Sequence, residues 1–299
     1  MILIVSNNKE TTTTEVTKWL SVMGKKYIRI HENEIFEIKV FKKRIFLGSV
    51  YNSFFLDDIS SVWFRRGRLR FKRLLYKNAA VNIHMNEVQY WLEDYIVKNL
   101  ESKKAINKND NLLNKLFVLE KAKETGLNIP PYFLAENTEE VELSKTITKT
   151  IAGNSVLENI SEAADAIMYT SLIEEKEKNS FFINLFQEKI EKDFEIRSFY
   201  LNGKIWSIAI LSQNDEQTRI DYRKYNSKIP NRNIAYKLPK EIEDKVDRLM
   251  KILDLNCGSI DFIKSGNMFY FLEINPSGQF LGLSITCNYN LEKEIASYL

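Results

Sequence analysis

The sequence predicts an α/β protein folded in more than one lobe, and three local patterns carry that reading. First, the apolar run Ile2–Val5, the helix-period segment Glu15–Met23 and the strand-like Tyr27–Ile30 form a β-α-β opening. Second, Glu195–Leu201 and Lys204–Ile210 alternate on either side of Asn202-Gly203, a pair suited to the positive φ angles of a type I′ hairpin turn. Third, Ser259–Lys264 and Met268–Ile274 repeat that hairpin pattern around Ser265-Gly266-Asn267.

The remaining elements follow in chain order. Gly24 closes the first helix. Phe36–Val40 and Arg44–Leu47 read as a hairpin, and Ser61–Phe64 as a strand running into the basic cluster Arg65, Arg66 and Arg68. From Asn86 to Leu100 apolar residues recur at helical spacing (Val88, Trp91, Leu92, Tyr95, Ile96), which predicts an amphipathic helix. The pattern stops at Asn107–Asp110, the first expected lobe boundary. A helix over Leu112–Thr125 ends at Gly126, and Pro130-Pro131 then forces an extended entry into a strand. Ile147–Ile151 is β-branched and alternating, hence a strand, and leads into the Gly-containing loop 152–155. Tyr169–Ile173 reads as a further strand, Phe181–Ile190 as a connection, Glu241–Leu253 as an amphipathic helix and Leu291–Leu299 as a closing helix. The expected division is 1–107, 108–187 and 188–299.

Composition excludes several function classes. With 299 residues, 44% hydrophobic and 28% charged, the chain can bury a sizeable core as two domains or as one multi-lobed unit. A net charge of +3 from 43 basic and 40 acidic residues is too balanced for a nucleic-acid binder, which needs a concentrated basic face. No stretch approaches the roughly 18 apolar residues of a membrane helix, and the apolar start is too short for a signal peptide. The two cysteines, Cys257 and Cys287, are not spaced as metal ligands, so a cytoplasmic, reducing setting is expected. Only two histidines occur, which argues against a zinc site or a histidine-dependent triad.

The chemistry concentrates in the last hairpin. Glu273 and Asn275 sit two apart on one strand, hence on one face, and an antiparallel return can bring Asp261 beside them. Two carboxylates and an amide oxygen form a hard oxygen set suited to magnesium held jointly with phosphates. The same three residues could also line an ordinary solvent-facing hairpin. Apolar Leu272 and Ile274 beside them favour a site, because polar groups in so apolar a strand need partners. Lys149, on a strand before the Gly loop, and Lys115, at a helix start, could each neutralise phosphate oxygens. Arg197 and Arg223 could clamp phosphate or carboxylate, and Gln187-Glu188-Lys189-Ile190 could present polar groups to a nucleoside. Singly, each of these lysines and arginines is more often an ordinary solvated or ion-paired surface residue, and the Gln-Glu segment only a polar linker.

Their order is what resembles a family. Lys115, then Lys149 with its Gly loop, then Gln187-Glu188, Glu195-x-Arg197, Asp261 and Glu273-x-Asn275 resembles the ATP-grasp superfamily over essentially the whole chain. The segments Val62–Arg66, Gly126–Pro130, Thr148–Thr150, Tyr169–Ser171 and Lys192–Arg197 are similar to the graspetide synthetases, the branch that includes microviridin ligases. The tail Asn275–Phe280 followed by Cys287–Glu292 looks like the grasp-with-spasm peptide maturases, whereas Tyr222 stands where relatives often carry Trp.

The resemblance implies an N-terminal pre-ATP-grasp domain, a central small lobe and a C-terminal lobe, with ATP between the last two. It implies nucleotide contacts from Lys115, Lys149, Gln187, Glu188, Lys189, Ile190 and Glu195, and magnesium on Asp261, Glu273 and Asn275. Arg197, Arg223 and Asp221 are the implied catalytic groups. The implied partner is a ribosomal precursor peptide with a leader segment, and a homodimer is usual among relatives. An amino-acid ligase and a catalytically silent leader-binding scaffold are the competing expectations; intact lysines and carboxylates weigh against the scaffold.

Overall fold

The computed structural model describes every residue except 8, 109–112, 152–155, 162–163, 168–169, 177–179 and 214–229. The chain divides into two compact units, Met1–Asn111 with Asn290–Leu299, and Leu112–Tyr289. Among the described residues no helix is long and apolar enough to cross a membrane.

In the first unit, β1 (Ile2–Ser6), α1 (Thr11–Val22) and β2 (Tyr27–His31) form the expected β-α-β opening. The strands β3 (Ile35–Phe41), β4 (Arg44–Gly48), β5 (Ser53–Phe55), β6 (Ser61–Phe64) and β7 (Arg70–Phe71) follow. Then come α2 (Ala79–Glu101) and β8 (Lys104–Ile106). A parallel sheet runs in the order β2-β1-β6-β8, and a second sheet in the order β5-β4-β3-β7. Burial explains the first: all five residues of β1 and all four of β6 are buried, as strands covered on both faces must be. The start of α1 lies four residues before the sequence expectation, because Glu10 caps the threonine run through Thr13 N at 2.7 Å.

The second unit begins with α3 (Lys115–Glu124) and β9 (Tyr132–Ala135), followed by β10 (Thr146–Lys149), β11 (Val156–Ser161), β12 (Ala164–Ile167), β13 (Ser171–Leu172) and β14 (Asn184–Glu188). It continues with β15 (Phe194–Leu201), β16 (Lys204–Leu211), β17 (Arg232–Tyr236) and α4 (Lys240–Ile252). The hairpin β18 (Cys257–Ser265) and β19 (Met268–Asn275) precedes the short helix α5 (Leu281–Cys287). One sheet has the order β13-β10-β14-β9 and another β17-β16-β15-β18-β19. The turn at Asn202-Gly203 has φ of 46° and 87°, the type I′ signature that the dipeptide predicts.

The five-stranded sheet has two unlike faces. Ile196, Tyr200, Ile260, Phe262, Phe271 and Ile274 form a core with Ile242, Val246, Leu249 and Met250 of α4 and Val118, Leu119 and Ala122 of α3. By strand alternation Glu195, Arg197, Ser259, Asp261, Glu273 and Asn275 belong to the opposite face.

Two expectations are corrected here. The segment Phe181–Ile190 contains a central strand rather than a mere connection: β14 pairs with both β9 and β10. The closing helix α6 (Leu291–Tyr298), expected with the last lobe, packs on α1 in the first unit. There the Lys25 ammonium donates to Ala296 O at 2.8 Å and Ser61 Oγ to Leu299 O at 2.9 Å.

Candidate active site

The hairpin β18–β19 sets the acidic pair by register. Asp261 stands directly opposite Glu273, and Ser259 opposite Asn275. Between Asp261 and Phe262 the register shifts, because Phe262 faces Phe271 and Leu272 is left as the extra residue of a bulge. That bulge rephases the strand: Phe271 and Ile274 are buried three apart, while Leu272 and Glu273 are both half-buried. Leu272 therefore does not join Ile274 in the core; it lines a cleft.

Each carboxylate faces a cation from another element. Arg197, on β15 opposite Asp261, places Nη1 3.2 Å from both Asp261 oxygens. Its Nη2 donates to Gln279 Oε1 at 3.3 Å. Lys115, the first residue of α3, lies 3.4 Å from Glu273 Oε2 and donates to Thr150 O at 3.3 Å. Asn275 is held by the chain just beyond it, since its Oδ1 accepts from Ser277 Oγ at 2.6 Å and Ser277 N at 3.2 Å. Ser259 Oγ donates to Gln279 O at 2.8 Å, pinning the same segment to β18. Sequence reasoning missed Ser277 and Gln279 in these roles, although Ser277-Gly278-Gln279 directly after Asn275-Pro276 is the visible signal. Gly278 has φ +60°, and a Cβ there would lie 3.0 Å from Cys257 Sγ, so the return of this segment over β18 needs glycine.

The adjoining cleft is lined by Lys149, Gln187, Glu188, Lys189, Ile190, Glu191, Lys192 and Gln213, with Pro130, Ile147, Ile263 and Leu272 as apolar walls. Gln187 is only 2% exposed, and its Oε1 has no hydrogen-bond partner among the described residues. A buried amide oxygen left unpaired carries a desolvation penalty of about 1–3 kcal/mol, which a ligand N–H could relieve. A cleft with apolar walls, one unpaired acceptor and three lysines (Lys149, Lys189 and Lys192) fits an aminated heteroaromatic base that carries phosphates.

Of the expected nucleotide residues, Lys149, Gln187, Glu188, Lys189 and Ile190 thus share one cleft. Glu195 is buried and ion-paired with Lys192, itself a cleft residue that the sequence reading overlooked. Asp221, Arg223 and the loop 152–155 lie outside the described residues. Among the described residues no group of three or more His, Cys, Asp and Glu side chains is placed to hold a metal. The donors present are two carboxylates and one amide oxygen, all hard oxygen ligands. They fit magnesium provided that phosphate oxygens and water complete its shell, as is usual for this ion.

No protein-family model and no curated protein matches the sequence. Solved structures do match. A Chryseobacterium gregarium RiPP-associated ATP-grasp ligase, in complex with ADP and a leader and core peptide, superposes with a TM-score of 0.76 at 22% identity, over 99% of this chain and 94% of that one. The macrocyclase MdnC of Microcystis aeruginosa MRC, bound with precursor peptide MdnA, gives 0.74 at 24% identity over 100% and 98%. The ATP-grasp ligase PsnB, complexed with minimal precursor, Mg and ADP, gives 0.66 at 15% over 99% and 95%. The chain has the ATP-grasp fold. Within it, the acidic hairpin and the cleft-lining strands β10 and β14 belong to the same compact unit.

Proposed function

We propose that this chain is an ATP- and magnesium-dependent carboxylate ligase that closes rings within a ribosomally made precursor peptide. The observation that carries the reading is the cleft itself: an unpaired, buried Gln187 amide oxygen and Lys149 in one slot. The same unit carries Asp261 opposite Glu273. The fold likeness to peptide ligases over nearly the whole chain supports the substrate class.

In this reading 1–107 is the pre-ATP-grasp domain, 108–187 the central lobe and 188–299 the C-terminal lobe, except that the closing helix α6 of that last stretch packs in the first unit. Gln187 and the backbone of Glu188–Ile190 would hold adenine, with Pro130, Ile147, Ile263 and Leu272 as the apolar walls. Glu195 supports this wall through its pair with Lys192. Lys115 and Lys149 would neutralise phosphate oxygens. Asp261, Glu273 and Asn275 would hold magnesium, which supplies charge neutralisation at the phosphates.

A side-chain carboxylate of the peptide attacks the γ-phosphorus, giving an acylphosphate and ADP. A Ser or Thr hydroxyl of the same peptide then attacks the acyl carbon, loses its proton and expels phosphate, leaving an ω-ester; a Lys amine would leave an amide. The protein contributes alignment and charge rather than covalent chemistry. Arg197, anchored by Asp261 and Gln279, and Arg223 would balance charge building on the transferred group. Asp221 would take the hydroxyl proton. The leader segment of the precursor is the recognition handle, as the leader-bound neighbour suggests.

The test is to mix the protein with the precursor peptide encoded beside its gene, ATP and magnesium, and to follow product mass. Loss of one water for each ring, with matching ADP release, is expected. A gain of one amino-acid residue would instead identify an amino-acid ligase. Nucleotide binding without any turnover would leave a leader-binding scaffold.

A further inference from the structure

The segment that follows β19 returns over β18 with its backbone pinned. Ser277 donates twice to Asn275 Oδ1, and Gly278 N donates to Asn275 O at 3.0 Å. Phe280 is fully buried, its ring centroid 5.0 Å from that of Phe199. Between buried Gly278 and buried Phe280 the side chain of Gln279 is exposed, while its main-chain oxygen is fixed by Ser259 Oγ at 2.8 Å. An exposed glutamine is ordinarily a solvated side chain. This one stands on a fixed backbone and meets Arg197, whose Nη2 donates to Oε1 at 3.3 Å.

That contact settles which end of the amide faces outward. A guanidinium has only donors, so the oxygen of Gln279 must face it and the NH2 group must point away. Nε2 makes no hydrogen bond to any described residue. Arg197 is itself held between two elements, with Nη1 3.2 Å from both Asp261 oxygens. A neutral NH2 group thus stands beside a cationic guanidinium, on the strand next to Asp261 and one further from Glu273. A charge and a hydrogen-bond donor set side by side suit a carboxyl group.

We propose that Gln279 contacts the substrate: its NH2 group holds the reacting carboxyl group of the peptide, while its oxygen keeps Arg197 turned toward the same group. The inference rests on the ligase reading. In the first step of that reaction one carboxylate oxygen bonds to the γ-phosphorus, and the oxygen that bridged it to ADP leaves with the bonding electrons. The other carboxylate oxygen becomes the carbonyl oxygen of the acylphosphate, and this is the atom that Gln279 Nε2 holds. Fixing it leaves its twin as the nucleophile and orients the group for attack.

The test compares Gln279→Glu with Gln279→Leu. Initial rates of ADP release are measured against the concentration of the precursor peptide encoded beside the gene, and calorimetry with MgADP reads nucleotide affinity separately. Glutamate keeps the acceptor for Arg197, and strengthens it by its charge, but replaces the NH2 group with an oxygen that repels a carboxylate. Leucine loses both ends. KM for the peptide should rise about 100-fold in Gln279→Glu and about tenfold in Gln279→Leu. Nucleotide affinity and melting temperature should match wild type in both, because the side chain is exposed. A residue that merely supports Arg197 gives the reverse order, with Gln279→Glu nearer to wild type, and that order would overturn the proposal. So would an unchanged KM in Gln279→Glu, or a parallel loss of nucleotide affinity, which would place the side chain at the nucleotide. Wild-type protein that releases no ADP with the peptide would sink the ligase reading, and this inference with it.

Discussion

Two ionic clusters, one from each unit, are built in opposite ways. In the first, Arg65 and Glu10 meet at 3.0 Å with side chains only 1% and 10% exposed. Glu10 also accepts from Thr13 N at 2.7 Å and Thr13 Oγ1 at 2.5 Å. Burial pushes the Glu10 carboxyl up, but the Arg65 charge and the hydrogen bonds of Thr13 and Arg65 outweigh it and hold it below the usual carboxylate range. In the second unit, Arg197–Asp261 and Lys115–Glu273 are longer, at 3.2 and 3.4 Å, and more open to water. One pair cements the end of a parallel sheet and the cap of α1. The other two hold charge of both signs at partial exposure, where they can exchange partners at low cost, as the proposed function requires. Similar residue types thus build a closed fastening in one unit and two looser, partly exposed pairs in the other.

Three substitutions sharpen or break that contrast. The largest effect is expected from Glu273→Gln, which keeps shape but removes one charge of the acidic pair: turnover should fall by about 10³-fold, on the scale of losing one electrostatic contact to a transition state. Its melting temperature should match wild type; retained turnover would show that the metal is misplaced. Glu10→Gln should do the reverse. Removing the carboxylate that faces the buried Arg65 should cost about 3 kcal/mol in denaturant unfolding with kcat unchanged, and a loss of activity in still-folded protein would blur the two classes. The pH dependence gives the sign. Because the folded-state pKa of Glu10 is depressed, its contribution is fully present above the unfolded-state value and is lost as pH falls through the folded value. The acid limb of stability against pH should therefore be shallower in Glu10→Gln. The smallest effect is expected at Gln187. With its unpaired acceptor removed, Gln187→Leu should weaken nucleotide binding by about tenfold, the worth of one hydrogen bond of roughly 1.4 kcal/mol, read by titration calorimetry with a non-hydrolysable ATP analogue and magnesium.

Much of this was legible in the residues, and the exceptions have physical causes. Both C-terminal hairpins, the β-α-β opening and α4 are set by short-range pattern and turn chemistry, and appear as expected. The first two turns of α2 were not legible, because residues 79–85 put nothing into the core and so lack the one-sided periodicity that announces a helix. β14 reads as a linker in the sequence because its pairing partners, β9 and β10, lie far back in the chain. α5, β8 and β17 are short and carry too few periodic residues to register.

The sequence by itself determined which residues could carry the chemistry: hard oxygen donors two apart on one strand, lysines ahead of them, and a polar Gln-Glu segment between. Residue type and spacing of two or seven are local properties, and strand or helix geometry turns them directly into shared faces. Only the tertiary structure decided that Asp261 faces Glu273 across a bulge that turns Leu272 toward the cleft. It also decided that Arg197 and Lys115 answer the two carboxylates, and that Gln187 is buried with its oxygen unpaired. Those depend on register between strands and on packing among segments far apart in the chain, which no local spacing encodes.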